Sequence, residues 1–210
     1  MPRQKKAHAS ESRKPTARGA ATRGRIVEAA ADLVYRQGAS GTSLEDIMAA
    51  SATSKSQVYH YFADKDGLMR AVIELQTRRV TGDHAAMLKT VDSLQGLRRW
   101  ADGVIAMNKA AGGAGGCPLG SLASELADRS ESAREMLALG FARWESHLVT
   151  ALRAMRDRGE LKREARPEDL ATTMIAALEG GLLLAQTTHE TRPLELALGM
   201  AIEHVARACV

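Results

Sequence analysis

"TSLEDIMAASATSKSQVYHYFADKDGL", residues 42–68, decides how the chain is read. Thr42 and Glu45 stand three apart ahead of an apolar run, which predicts a capping box and a short helix from Ser43 to about Ala50. Ser54 and Gln57 repeat the pattern after a break of about three residues, so a second short helix follows at once. Asp64 is placed to cap a long helix reaching about Lys89. Upstream, Ile26, Ala30, Leu33 and Val34 recur at helical spacing from Thr22, and Gly38 is a stop signal. Two short helices across a tight turn, braced by a first helix, describe a helix-turn-helix unit over residues 22–65.

The remainder, 66–210, reads as helix after helix, at about 93–111, 118–128, 131–158, 167–188 and 193–208. Neither strand-like alternation of useful length nor an internal repeat interrupts it. The expected fold class is all-α: a small N-terminal three-helix unit and a larger C-terminal bundle. Ala, Leu and Met carry most of the apolar load, a mix that loses little on entering helices.

Composition narrows the function classes. No window approaches the roughly 18 consecutive apolar residues that a membrane span requires. The basic N-terminus is followed by no apolar stretch, so it does not read as a secretory signal. Cys117 and Cys209 make no disulfide framework, and a cytoplasmic location is expected. Net charge is +4, unevenly placed. Residues 1–24 hold Arg3, Lys5, Lys6, Arg13, Lys14, Arg18 and Arg23 against Glu11, a segment charge of +6 that leaves −2 for the rest. Residues 1–21 lack periodicity and read as a disordered basic arm, either a polyanion-binding tail or a solvated one. The six histidines make no metal-ligand spacing, and there is no P-loop, dinucleotide fingerprint or G-x-S-x-G. No cofactor, metal or catalytic residue is expected, and an enzyme is the remote alternative. A non-specific DNA-coating protein is another.

The aromatics supply the next clue. The chain has seven, and Tyr59, Tyr61 and Phe62 fall within four consecutive positions. In a helix-turn-helix the second short helix enters the major groove with its N-terminal residues leading, so its outer side must reach phosphate and bases. Ser54, Lys55, Ser56, Gln57 and His60 fit that need, and tyrosines can lie on sugar while bonding phosphate. Tyr59 and Tyr61 are assigned to this surface rather than to the core; Val58 and Phe62 are expected inside. Thr22 and Thr42 are expected at helix N-termini, where free amides grip phosphate, with Lys65 close to the backbone.

This stretch resembles the DNA-binding signature of TetR-type bacterial transcriptional regulators. The resemblance implies contacts to double-stranded DNA by Thr42, Ser54, Lys55, Ser56, Tyr59, His60, Tyr61 and Lys65. The sequence departs from that pattern at Ala52, where the turn usually has Gly, and at Thr53, Ser56 and Tyr61. If the turn needs a positive φ, Ala52 is strained.

One reading head sees a half-site, so a homodimer is expected. Leu194, Leu198, Ala201 and Val205 on the last helix, and Ala171, Ile175, Leu178 and Leu182 on the one before, form stripes that suit a four-helix interface, with Gly180 and Gly181 allowing close approach. The same stripes could be intramolecular core. Trp100, Met107, Phe141, Trp144 and Met174 are the candidate walls of a pocket for a small-molecule effector, a function the resemblance favours over plain core. Cys117 is added to that set. It stands in the Gly-rich "AAGGAGGCPLG" ahead of a helix N-terminus, where a thiolate would be favoured, and the stretch resembles a Gly-Cys-x-x-Gly-x-Leu segment of a subgroup of TetR-like regulators, which implies an electrophile or oxidant sensor. Its alternative role is a small residue filling a tight corner.

Overall fold

The computed structural model describes residues 16–210, and residues 1–15 of the basic arm expected over 1–21 lie outside the described residues. Among those described are nine helices: α1 (Ala17–Gly41), α2 (Leu44–Ser51), α3 (Lys55–Tyr61), α4 (Lys65–Leu88), α5 (Leu94–Ala110), α6 (Pro118–Leu126), α7 (Glu131–Asp157), α8 (Pro167–Thr188) and α9 (Arg192–Arg207). The all-α expectation holds. An isolated antiparallel bridge, Leu161 to Cys209, ties the chain's end to the α7–α8 connection.

Two sequence readings of the first helices need correction. Order starts earlier than Thr22: α1 begins at Ala17, capped by Thr16, whose hydroxyl accepts from Gly19 N at 3.1 Å. Residues 17–21, expected to be disordered, are therefore helical, and Thr22 lies a turn inside α1 with its hydroxyl donating to Arg18 O. The second helix is capped by Ser43 with Asp46, not by Thr42 with Glu45. Thr42 is buried and donates to Gly38 O at 2.7 Å, which takes it out of the capping position by one residue. The Ser54–Gln57 box and the Asp64 cap stand where the sequence puts them.

Gly38 punctuates α1 as a kink rather than a stop. Its φ of +80° is open to glycine and costly for other residues. A Cβ there would also come within 2.8 Å of Glu125 Oε1. α2 ends in a Schellman turn: Thr53 N donates to Met48 O at 3.1 Å and Ala52 N to Ala49 O at 3.3 Å. The αL residue of that turn is Ala52, at φ 50°, ψ 48°. The strain anticipated for an alanine in the turn is therefore present.

Ile26, Ala30, Val34, Ile47, Val58, Phe62 and Leu68 close the core of the small unit, and Leu97, Trp100, Leu119, Leu137, Trp144, Leu148 and Leu152 that of the bundle. α4 belongs to both, packing on α1 at one end and along α7. α8 and α9 lie against each other. A Cβ on Gly181 would meet Leu194 Cα at 2.9 Å, so this glycine sets their close approach within one chain. Leu178, Leu194, Leu198 and Val205, expected at a dimer interface, are fully buried between these helices. Ile175 and Leu182 are half-buried against the same core. The stripe was intramolecular because a regular helix spends its strongest apolar face on its nearest neighbour.

Candidate nucleic-acid interface and adjoining cavity

α3 is a helix of two faces. Val58 and, just past its end, Phe62 are buried against α1. Ser54, Lys55, Ser56, Gln57, Tyr59 and His60 are exposed, with Tyr59 at 51%. Lys55 Nζ hovers 6.0 Å from the Tyr59 ring centroid, which places a cation and a hydroxyl-bearing ring side by side. Ser54 and Gln57 are partly committed, since they cap the helix that carries them (Ser54 N donates to Gln57 Oε1 at 2.9 Å). Tyr61 is half-buried beside Gly19 of α1, with His60 edge-on to its ring. It is thus split between core and surface.

Three expected members of this surface stand differently. Thr22 and Thr42 are buried with their hydroxyls bonded to backbone carbonyls, so neither presents a free group at a helix N-terminus. Lys65 is exposed, but its ammonium donates to Ala39 O at 3.2 Å and Thr42 O at 2.9 Å. It holds the turn between α1 and α2 in place for α3. The N-terminus of α1, capped by Thr16, is the end the sequence reading located at Thr22. A signal was available: Thr16, an N-cap residue type, stands directly ahead of Ala17, although Gly19 interrupts the run that follows.

The same turn is gripped from the body. The Glu125 carboxylate, near the end of α6, accepts from Ala39 N at 3.1 Å and Ser40 N at 3.0 Å. Arg129 adds a bond to Ser40 Oγ at 3.2 Å. Residues 38–42 are therefore held between Lys65 of α4 and Glu125 of α6. Sequence reasoning missed the Glu125 side of this clasp because its partners lie 86 and 85 positions away.

The other end of α6 borders a cavity of about 340 Å³. Met107, Cys117 and Trp144 line it, as expected. Trp100 and Phe141 stand behind the wall: Trp100 Nε1 donates to His84 Nδ1 at 3.2 Å, and Phe141 stacks on Trp144 with centroids 6.3 Å apart. Met174 is fully buried core and does not line it. The sequence reading missed Tyr35, Gln76, His84 and Asn108, which also line it. Polar residues inside helical patterns carry no sign of which face meets a void. Burial lowers the His84 pKa to about 4, against a smaller opposing effect of Asp83. The ring is thus neutral and free to accept from Trp100.

Cys117 corrects another expectation. The backbone amides of Leu119 and Gly120 at the α6 N-terminus do favour a thiolate. Burial, reinforced by the neighbouring Glu179 carboxylate, outweighs them and drives the thiol pKa far above its ordinary value. The residue is a protonated, buried wall group.

On α8 and α9 the exposed apolar residues are Leu183, Leu184, Leu196 and Met200, a face opposite the buried stripe. α8 is also long and apolar enough to cross a membrane by length and composition, yet only 33% of its apolar window is buried within the chain.

Residues 26–72 match the family described as bacterial regulatory proteins, tetR family, and residues 93–201 match the tetracyclin repressor-like C-terminal domain. The HTH-type transcriptional regulator LmrA of Bacillus subtilis (strain 168) is 29% identical over 177 residues, 82% of this chain and 90% of its own. The HTH-type transcriptional repressor DhaR of Mycobacterium sp. (strain GP1) is 24% identical over 178 residues, 85% and 89% of the two chains. Among solved structures, a TetR transcriptional regulator from Chloroflexus aurantiacus J-10-FL superposes with a TM-score of 0.81 at 27% identity, covering 92% of this chain and 98% of that one.

Proposed function

This chain belongs to the tetR family of bacterial regulatory proteins, and from that premise we propose that it is a ligand-responsive repressor, cytoplasmic and non-enzymatic, that binds a palindromic operator as a homodimer. Residues 17–65, from the start of α1, form the DNA-reading unit, and 66–210 bind the effector and the second subunit. The observation that carries this reading is the polar outer face of α3, where Lys55, Ser56, Tyr59 and His60 are exposed on a helix anchored by Val58 and Phe62. Such a face supplies both phosphate and base-edge contacts.

Two heads must meet successive major grooves about 34–36 Å apart. The exposed apolar face of α8 and α9 supports dimerisation there, with Gly180 open to a close neighbour. α6 supports the coupling, since Cys117 at its start borders the cavity and Glu125 at its end holds the α1–α2 turn. Tyr35 of α1 reaches the same cavity. An effector that moves α6 or Tyr35 would re-aim α3 and change the spacing of the heads, a shift between DNA-competent and incompetent populations. Thiol sensing is the weaker reading, because Cys117 is kept protonated and covered.

Footprinting on DNA upstream of this protein's own and adjacent genes tests the proposal, with a two-fold symmetric protected site as the expected result. Lys55→Ala and Tyr59→Phe should each weaken operator binding about fivefold or more, the loss of one polar contact, with unchanged melting. Parental affinity in both would remove α3 from the interface.

A further inference from the structure

The cavity and the reading unit meet at a second place, the glycine-rich loop between α5 and α6. Gly112, Gly113, Gly115 and Gly116 all have positive φ, between 59° and 95°, a backbone open to glycine and costly for other residues. Their surroundings differ. A Cβ on Gly112 would meet nothing within 4 Å. A Cβ on Gly115 would fall on the hydroxyl of Tyr35, with the ring carbon Cζ at 3.3 Å. Gly115 therefore sits against a side chain of α1, the helix whose Ile26, Ala30 and Val34 belong to the core of the reading unit. Val34 directly precedes Tyr35.

The loop is fixed at one end and loose at the other. Gly113 N donates to Asn108 O at 3.0 Å and Ala114 N to Ala111 O at 3.1 Å. The Gly113 backbone also lies on the end of α8, where a Cβ would come within 2.8 Å of the His189 carbonyl carbon and the Glu190 nitrogen. Beyond Ala114, among the described residues, Gly115 and Gly116 make no backbone hydrogen bond. Ala114 and Gly116, on either side of Gly115, line the cavity, and so does Tyr35. A stretch that is unbonded and backed by a void moves at less cost than the helices around it.

Resting on the ligand-responsive reading above, we infer that residues 112–116 are a strap that carries occupancy of the cavity to the reading unit through the contact between Gly115 and Tyr35. A molecule in the cavity presses the strap from inside, at Ala114 and Gly116. Gly113 bears on α8 and holds, so the loose half is the part that shifts. Gly115 has no clearance from Tyr35, and its displacement passes to the ring, to α1, and to α3, whose Val58 and Phe62 pack on α1. A small shift at the loop thus changes the aim of the reading helix, as coupling between two sites requires.

A side chain added at Gly115 fills the same contact and stands in for the push, so the test uses the full chain without ligand. The readout is anisotropy of labelled operator, with melting followed alongside. Gly115→Ala should weaken operator binding about fivefold or more, the low end for coupled sites. Gly112→Ala carries the same left-handed backbone penalty in open space; it should lower the melting temperature and bind operator as the parent does. Tyr35→Phe alone should also bind as the parent. Combined with Gly115→Ala it removes the hydroxyl that the new Cβ meets, and affinity should return to within about twofold of the parent. If Gly115→Ala does not fold, Tyr35→Trp presses the same contact from α1 with the loop backbone unaltered, and should weaken operator binding likewise. Parental affinity in Gly115→Ala, as when the Tyr35 ring swings away into solvent, would overturn the strap. So would an equal loss in Gly112→Ala, a double variant that does not recover, or, in the fallback, parental affinity in Tyr35→Trp. A parent chain that binds no operator would defeat the proposed function and the strap with it, whereas these outcomes on a working operator defeat the strap alone.

Discussion

Ala52 is the plainest case of a residue at odds with its backbone. It occupies the αL position of the turn between α2 and α3, where a Cβ is penalised and glycine is not. Ala52→Gly should therefore stabilise the protein by about 1 kcal/mol, read as a higher urea midpoint at unchanged m-value. A loss of stability would mean that the turn relaxes away from αL in solution. His84 is at odds with its solvent. Its folded-state pKa, about 4, lies below the ordinary 6.5, so the unfolded chain takes up a proton first as pH falls. The sign is that of a depressed group: the neutral ring costs nothing above about pH 6.5, and stability is lost between there and about pH 4, by about 3 kcal/mol at most. His84→Gln preserves an acceptor for Trp100 Nε1 and removes the titration. Denaturation at pH 7 and pH 4.5 should show a smaller difference for the variant than for the parent.

Elements in this protein act through their ends. α6 has nine residues, Pro at its first position and no side-chain cap, and it meets the cavity at one end and the reading unit at the other. The Glu125 clasp consists of two bonds from backbone amides to a carboxylate, each stronger than a neutral pair. Glu125→Ala should destabilise the protein by about 2 kcal/mol in urea denaturation. It should also leave operator binding measurable while weakening release by an effector, as read by fluorescence anisotropy of labelled operator. Full retention of release would mean that Tyr35 or α4 carries the signal alone. Gly38 serves the same clasp, since a side chain there would occupy the space of the Glu125 carboxylate.

At the scale of the whole molecule, α8 and α9 are apolar on two sides, and one chain covers only one of them. Met200 is 65% exposed and Leu196 56%, whereas Leu198 between them is fully buried. The substitutions should separate cleanly in sedimentation and circular dichroism. Leu196→Glu and Met200→Glu should give folded monomers with lowered operator affinity. Leu198→Glu, which buries a charge inside the subunit, should unfold the chain, at a cost of several kcal/mol. A dimer that survives Met200→Glu and Leu196→Glu together would place the second subunit on another face.

Local chemistry was legible in the sequence by itself. Helix order, the Ser54 and Asp64 caps and the inward turn of Val58 and Phe62 follow from spacing within a few residues, because a helix repeats its environment every three or four positions, whereas the strain at Ala52 was signalled by its departure from the family pattern. The family resemblance rested on that same short stretch. Tertiary structure alone decided the rest. Whether Leu198 or Met200 faces outward depends on which side of α9 meets α8, and periodicity marks an apolar stripe without saying which partner covers it. Thr42 lost its exposed place to a carbonyl four residues back. Cys117 lost its helix-end activation to burial and to a carboxylate sixty-two positions away. The cavity with Asn108 and Trp144 on its wall exists only where α4, α5 and α7 come together. Contacts between distant segments depend on the packing of whole faces, and no single stretch of the chain encodes them.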